Sequence, residues 1–261
     1  AVALLDFDGV LCDSLPECLV SSWVAYWGHL MGSLPDRVPL ALHRTFYAIR
    51  PYIRSGEDYV FDQELIDAGA GIRCQEDFDA QLERKGPQTM QRYKDLFYRA
   101  RAELLKTERP YWIGLNRIYP FLLPDLRRWA ASPGFFILST KKASFILEIL
   151  GANGVAIEPA RVQHCDAQGK RRAIAQIARG LACRRVLWIE DQVDYLLARD
   201  EELGGLEVQR CLAAWGYVKP EWLTQNLGLE VLSPAGLAPR LEPWLRSPVA
   251  PGPRTPPEAQ P

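Results

Sequence analysis

From Tyr119 onward the chain alternates short apolar runs with amphipathic stretches, and no other feature limits its fold as tightly. The spacing predicts helices over Leu122–Ala131, Ala143–Leu150 (stopped by Gly151), Lys170–Leu181 and Gln192–Leu203. It predicts strands over Gly134–Leu138, Arg185–Ile189 and Val208–Trp215. Short helices at Glu221–Asn226 and Ala238–Leu245 flank a further strand at Leu229–Leu232. Apolar strands separated by helices imply βαβ units, hence an α/β fold built on a parallel sheet. Ala1–Phe7 reads as one more buried strand, ending in a turn at Asp8-Gly9.

Between Leu15 and Tyr119 the pattern changes. This stretch is rich in arginine and aromatic residues, has helical periodicity and lacks a buried strand. Leu19, Val20, Trp23, Val24 and Trp27 share one helix face within Leu19–Leu30. Gln75–Leu105 reads as one or two amphipathic helices interrupted at Gly86-Pro87. The expected organisation is a core of residues 1–14 and 119–246 around a helical insertion of residues 15–118. The tail, residues 247–261, is proline-rich and expected to be disordered.

Lys and Arg number 31 against 32 Asp and Glu, a formal charge of −1, so nothing recommends nucleic acid or an anionic membrane as partner. No apolar run approaches the ~20 residues that span a bilayer. The six cysteines are scattered without a CxxC pair, and His29, His43 and His164 stand isolated, which argues against zinc and a disulfide scaffold. These features together lead us to expect a cytoplasmic protein with reduced thiols.

In open parallel sheets, sites form just beyond the carboxyl ends of the strands. Asp6 and Asp8 follow the first strand one residue apart, so both carboxylates can face one pocket. One carboxylate can attack a phosphoryl group, and a second can protonate the leaving oxygen and then activate water. Ser139 and Thr140 follow the Gly134–Leu138 strand, where a hydroxyl can donate to a phosphate or simply cap the next helix. Lys170, Arg171 and Arg172 open a helix, and any of them could reach a site or form its solvated start. Glu190 and Asp191 follow a buried strand, and a divalent cation with oxygen ligands would relieve the cost of placing both there. Asp194 competes as an acid spaced further along.

These residues resemble the haloacid dehalogenase-like superfamily, whose first motif D-x-D-x-[TV]-[LV] is matched by Asp6, Asp8, Val10 and Leu11. The resemblance implies a Rossmann-like core with an inserted helical C1 cap. It implies Asp6 as nucleophile and Mg²⁺ ligand, and Asp8 as acid/base lending its backbone carbonyl to the metal. Ser139 matches the second motif, and Thr140 lies where relatives often carry Asn. Lys170 takes the third motif's place, and Glu190 with Asp191 the fourth's, Asp191 as metal ligand and Glu190 either as a further ligand or as a group that orients one. Asp6–Ser14 (DFDGVLCDS), Ile189-Glu190-Asp191 and Trp215-Gly216-Tyr217 also look like a little-characterised bacterial and cyanobacterial branch.

The implied activity is Mg²⁺-dependent hydrolysis of a small phosphorylated metabolite. A haloacid dehalogenase needs neither the acid at Asp8 nor a metal site at Glu190 and Asp191. A sugar-phosphate mutase and a non-catalytic binding protein of the same fold remain as alternatives. In the insertion, Arg44, Arg50, Arg54, Tyr52 and Tyr59 are candidates to grip an anionic substrate, against a bland reading as surface charges and core aromatics.

Overall fold

The computed structural model describes residues 1–35, 37–166, 169–198 and 201–246. The proline-rich tail lies outside the described residues. The described residues form two compact units, one within residues 1–13 and 118–246 and the other within residues 14–117.

The first unit is built on a six-stranded parallel sheet. Its strands are β1 (Val2–Leu5), β2 (Phe135–Ser139), β3 (Val162–His164), β4 (Arg185–Glu190), β5 (Glu207–Ala213) and β6 (Glu230–Leu232). Their spatial order is β3-β2-β1-β4-β5-β6. All four residues of β1 are fully buried, as the central strand of a sheet covered on both faces must be. On one face Val2, Leu4, Phe136, Leu138, Val186 and Trp188 pack with Ile174, Val193 and Leu196 from the flanking helices.

Several expected boundaries move. The helix Ala143–Ala152 runs through Gly151, and the chain turns instead at Gly154, whose φ is 68°. The expected helix Gln192–Leu203 is shorter: Val193–Leu197 is helical and Glu201–Leu203 is a 3₁₀ turn. The strand β3 was not expected at all, since three residues with a polar centre carry almost no periodic signal. The last helix starts earlier than expected, at Pro234, and carries Pro239 and Pro243 inside it.

The second unit is helical among its described residues. Pro87 opens the 21-residue helix Pro87–Thr107 directly after Gly86, whose φ of 77° breaks it from Gln75–Lys85. Tyr93, Leu96, Phe97, Ala100 and Leu104 form its buried stripe. Tyr59 stacks between Phe46 and Phe97, with centroids 5.8 and 5.6 Å away. Helix Gly56–Asp67, which carries Tyr59, is started by a capping box between Ser55 and Asp58. The helix Leu15–Trp23 continues as a π-helix over Val24–Leu30, a widening that hydrophobic spacing does not signal.

Four of the five candidate substrate-gripping residues of this unit are engaged inside it. Tyr59 is core, and the buried Tyr52 donates its hydroxyl to the Arg73 carbonyl at 2.9 Å. Arg54 pairs with Asp79 at 3.0 Å, and Arg50 donates to the Ile53 carbonyl. Arg44 is exposed. His29, read as isolated, lies 2.9 Å from Glu103.

Deep in this unit Glu17 is fully buried and fully partnered. Arg101 grips it with two nitrogens, at 2.9 and 2.7 Å, while Ser21 and the Trp112 indole add bonds of 2.6 and 2.9 Å. Burial works against the Arg101 guanidinium, but the Glu17 charge, the neighbouring Cys18 and the hydrogen bonds to Glu17 together outweigh it and raise its pKa.

Candidate active site

Strand register brings the acids together. Leu5 of β1 lies opposite Ile189 of β4, and the Asp6 N–H donates to the Ile189 carbonyl at 3.0 Å. The residues that follow, Asp6 on one strand and Glu190 and Asp191 on the other, therefore emerge at the same level. On the other side of β1, Leu5 lies opposite Ile137, so Ser139 at the end of β2 flanks the Asp6–Asp8 segment.

Asp6, Glu190 and Asp191 each offer a carboxylate oxygen, and these atoms lie within 4.8 Å of one another. All three side chains are buried. Lys170, the first residue of the helix Lys170–Gly180, is 1% exposed and reaches into this group. Its ammonium lies 3.3 Å from Asp6 Oδ2 and is ion-paired with Glu190. The Tyr195 ring sits beneath it at 4.6 Å. Burial opposes the Lys170 charge, yet Asp6 and Glu190 together outweigh burial and raise its pKa. Glu190 is pushed well above the usual carboxylate range, first by burial and then by the Asp6 charge, with Lys170 pulling the other way.

Asp191 is held by shape as well as by bonding. Its Oδ2 accepts the Tyr217 N–H at 2.8 Å. A Cβ on Gly9 would overlap the Asp191 carboxylate, and one on Gly216 would overlap its Cβ and the Gly9 carbonyl. Gly9 also has a φ of 85°, which favours glycine in its own right. Tyr217 and Trp215 tie the first loop down: the Tyr217 hydroxyl donates to Asp13 at 2.8 Å, and the Trp215 indole donates to the Val10 carbonyl at 3.0 Å.

Asp8 faces a second lysine. Its Oδ1 lies 3.0 Å from the ammonium of Lys141, whose side chain is 5% exposed. Ser139 is buried, and its Oγ accepts the Lys141 N–H at 3.3 Å. Thr140 is exposed, and so is Asp194, in the first turn of Val193–Leu197 and outside the cluster of three acids. Sequence reasoning gave Lys141 no role. Its only signal was position, directly after the strand-end hydroxyls.

The site fits a divalent cation on two counts. Asp6 Oδ1 and Glu190 Oε2 are buried without a hydrogen-bond partner, an arrangement that normally costs about 1–3 kcal/mol per group or more when charged. Among the described residues, four acids (Asp6, Asp8, Glu190, Asp191) also gather around two buried lysines, Lys141 and Lys170. An all-oxygen donor set of this charge suits a hard cation such as Mg²⁺.

No family model matches the sequence, and no curated protein matches it. Solved structures do. A Lactobacillus delbrueckii subsp. bulgaricus protein assigned as a phosphoglycolate phosphatase superposes with a TM-score of 0.56 at 14% identity, over 92% of this chain and 97% of that one. A haloacid dehalogenase-like hydrolase from Streptococcus pneumoniae gives 0.53 at 14%, over 92% and 97%. A hydrolase of the same family from Deinococcus radiodurans, with phosphate and sodium bound, gives 0.51 at 19%, over 95% and 97%. The α/β architecture of this chain, a parallel six-stranded sheet flanked by helices, is thus the haloacid dehalogenase-like fold.

Proposed function

We propose that the chain is a Mg²⁺-dependent phosphomonoester hydrolase of the haloacid dehalogenase-like family, acting on a small phosphorylated metabolite through an aspartyl-phosphate on Asp6. The observation that carries the reading is the buried group of Asp6, Glu190 and Asp191 with two orphaned oxygens and Lys170 beside it. The Deinococcus structure, which holds phosphate and sodium, accords with a site for an anion and a cation in this fold.

Asp6 attacks the phosphorus in line, and the bond to the leaving oxygen breaks. Asp8 gives its proton to that oxygen. It then takes a proton from the water that attacks the phosphorus of the aspartyl-phosphate, freeing Asp6 and inorganic phosphate. Lys170 and the Ser139 hydroxyl hold phosphoryl oxygens, and Lys170 keeps Asp6 and Glu190 together meanwhile. Thr140, exposed at the strand end, is assigned its backbone amide as a further phosphate donor. Mg²⁺ held by Asp6, Glu190, Asp191 and the Asp8 carbonyl would neutralise charge on the phosphoryl group. Asp194 is left outside this set. The helical unit, inserted between the first acid pair and β2, is assigned selection of the leaving group. No feature of the site favours a mutase or a non-catalytic reading over this one.

The test is phosphate release from a panel of phosphomonoesters, with and without Mg²⁺, by wild type and Asp6→Asn. Mg²⁺-dependent release that Asp6→Asn abolishes supports the reading. Release that survives the substitution removes Asp6 as nucleophile.

A further inference from the structure

Lys141 and Lys142 are adjacent in sequence and opposite in environment. Lys142 is exposed, whereas Lys141 is buried to within 8% of its surface. A lysine is rarely buried unless its charge is matched, and here Asp8 lies 3.0 Å from the ammonium. The backbone at Lys141 is fixed as well. Its N–H donates to Ser139 Oγ, and its carbonyl lies 3.2 Å from His164 Nδ1 on the neighbouring strand β3.

The two oxygens of Asp8 are therefore not equivalent. Oδ1 is shut away from solvent and faces Lys141, while the side chain as a whole keeps 23% exposure, which must lie off Oδ1. An ammonium has donors and no acceptor. It holds Oδ1 only as an acceptor, which leaves Oδ2, the oxygen on the open side, to face the reacting atoms. We propose that Lys141 is a positioning residue that fixes which oxygen of Asp8 faces the reacting atoms. The inference rests on the phosphatase reading and deepens it. It divides the lysines between the two acids: Lys170 serves the nucleophile and Lys141 the acid/base.

Its consequence concerns the leaving group. When Asp6 attacks, an alkyl leaving oxygen needs the Asp8 proton as its bond to phosphorus breaks, whereas a p-nitrophenolate departs well without one. Loss of orientation at Asp8 thus penalises alkyl esters selectively. The experiment measures kcat/KM with Mg²⁺ for p-nitrophenyl phosphate and for the best alkyl phosphomonoester, in wild type, Lys141→Met and Lys141→Arg. Thermal melts establish that each is folded, with Lys141→Gln replacing Lys141→Met if the latter is not. We expect Lys141→Met to lose about 10- to 100-fold more on the alkyl ester than on the aryl ester, with KM little changed and Lys141→Arg restoring most of the loss. Equal losses on both esters would overturn the inference, since they would make Lys141 a phosphate ligand or a structural residue. A wild type inactive on every ester overturns the phosphatase reading and the inference together. Wild-type turnover with equal losses overturns the inference alone.

Discussion

Each unit of the molecule buries a charged cluster, and the two are finished differently. In the helical unit, Glu17 accepts from Arg101, Ser21 and Trp112, so both its oxygens are engaged within the protein. At the end of the parallel sheet, Asp6, Glu190 and Asp191 share Lys170, and two buried carboxylate oxygens are left without a partner. A buried ion pair gains little over apolar packing unless its hydrogen bonds are complete. The Glu17 cluster meets that condition alone. The cluster at Asp6 meets it only with something added.

The comparison can be broken at its strongest point by Lys170→Met. The substitution leaves three buried acids uncompensated, and we expect phosphate release to fall about 10²- to 10³-fold or more. Stability should fall by about 3–5 kcal/mol in metal-free buffer, with part of the loss recovered in Mg²⁺. Urea denaturation in EDTA and in Mg²⁺ checks this, and a loss of stability unchanged by Mg²⁺ would contradict the reading of an incomplete cluster. Glu17→Ala should cost a similar ~3–5 kcal/mol by stranding Arg101. There the comparison predicts that Mg²⁺ restores none of it, and an Mg²⁺ titration that rescued the variant would put the contrast in doubt.

Wild type should itself gain stability from the ion. At Mg²⁺ about 100 times its Kd, the expected gain is about 2.7 kcal/mol, read as a rise in melting temperature. Glu190→Gln should abolish most of that rise, and an undiminished rise would place the ion elsewhere.

The smallest effect concerns Asp62, fully buried in the helical unit with neither oxygen hydrogen-bonded. Burial, and next the Asp58 charge, push its carboxyl well above the usual range. The stability it contributes is therefore fully present below about pH 4, the unfolded value, and is lost as pH rises through the folded pKa. Asp62→Asn escapes that loss, so it should gain on wild type by about 1–3 kcal/mol between pH 4 and 8. Denaturation at pH 5 and 8 tests the sign, and a gap that fails to widen with pH would show that Asp62 finds a partner after all.

How much of this was legible in the sequence depended on distance along the chain. The strand-to-acid junctions at Asp6 and Glu190, the end of β2 at Ser139 and the break at Gly86-Pro87 are local patterns, and the elements formed at or within a few residues of those points. The pairing of Glu17 with Arg101 spans 84 positions, and nothing near either residue announces it. Lys141 looked no different from Lys142, because a charge run carries no sign of which member turns inward. The contact of Tyr217 with Asp191 was invisible for a related reason: it runs through a backbone N–H, which every residue but proline possesses. The short strand β3 and the π-turn of Val24–Leu30 depend on packing around them rather than on their own composition.

The placement of β1 sets a timetable for biosynthesis. Its two partners, β2 and β4, begin about 130 and 180 positions after it ends. At about 5–20 residues per second, the ribosome needs roughly 6 to 26 seconds to deliver the first of them. Throughout that interval the apolar Val2–Leu5 run has no strand to join, while the intervening helical unit, whose contacts are nearer in sequence, can close on itself. The nascent chain therefore carries a sticky, unpaired segment throughout that interval. Such a segment is a natural client for a holding chaperone.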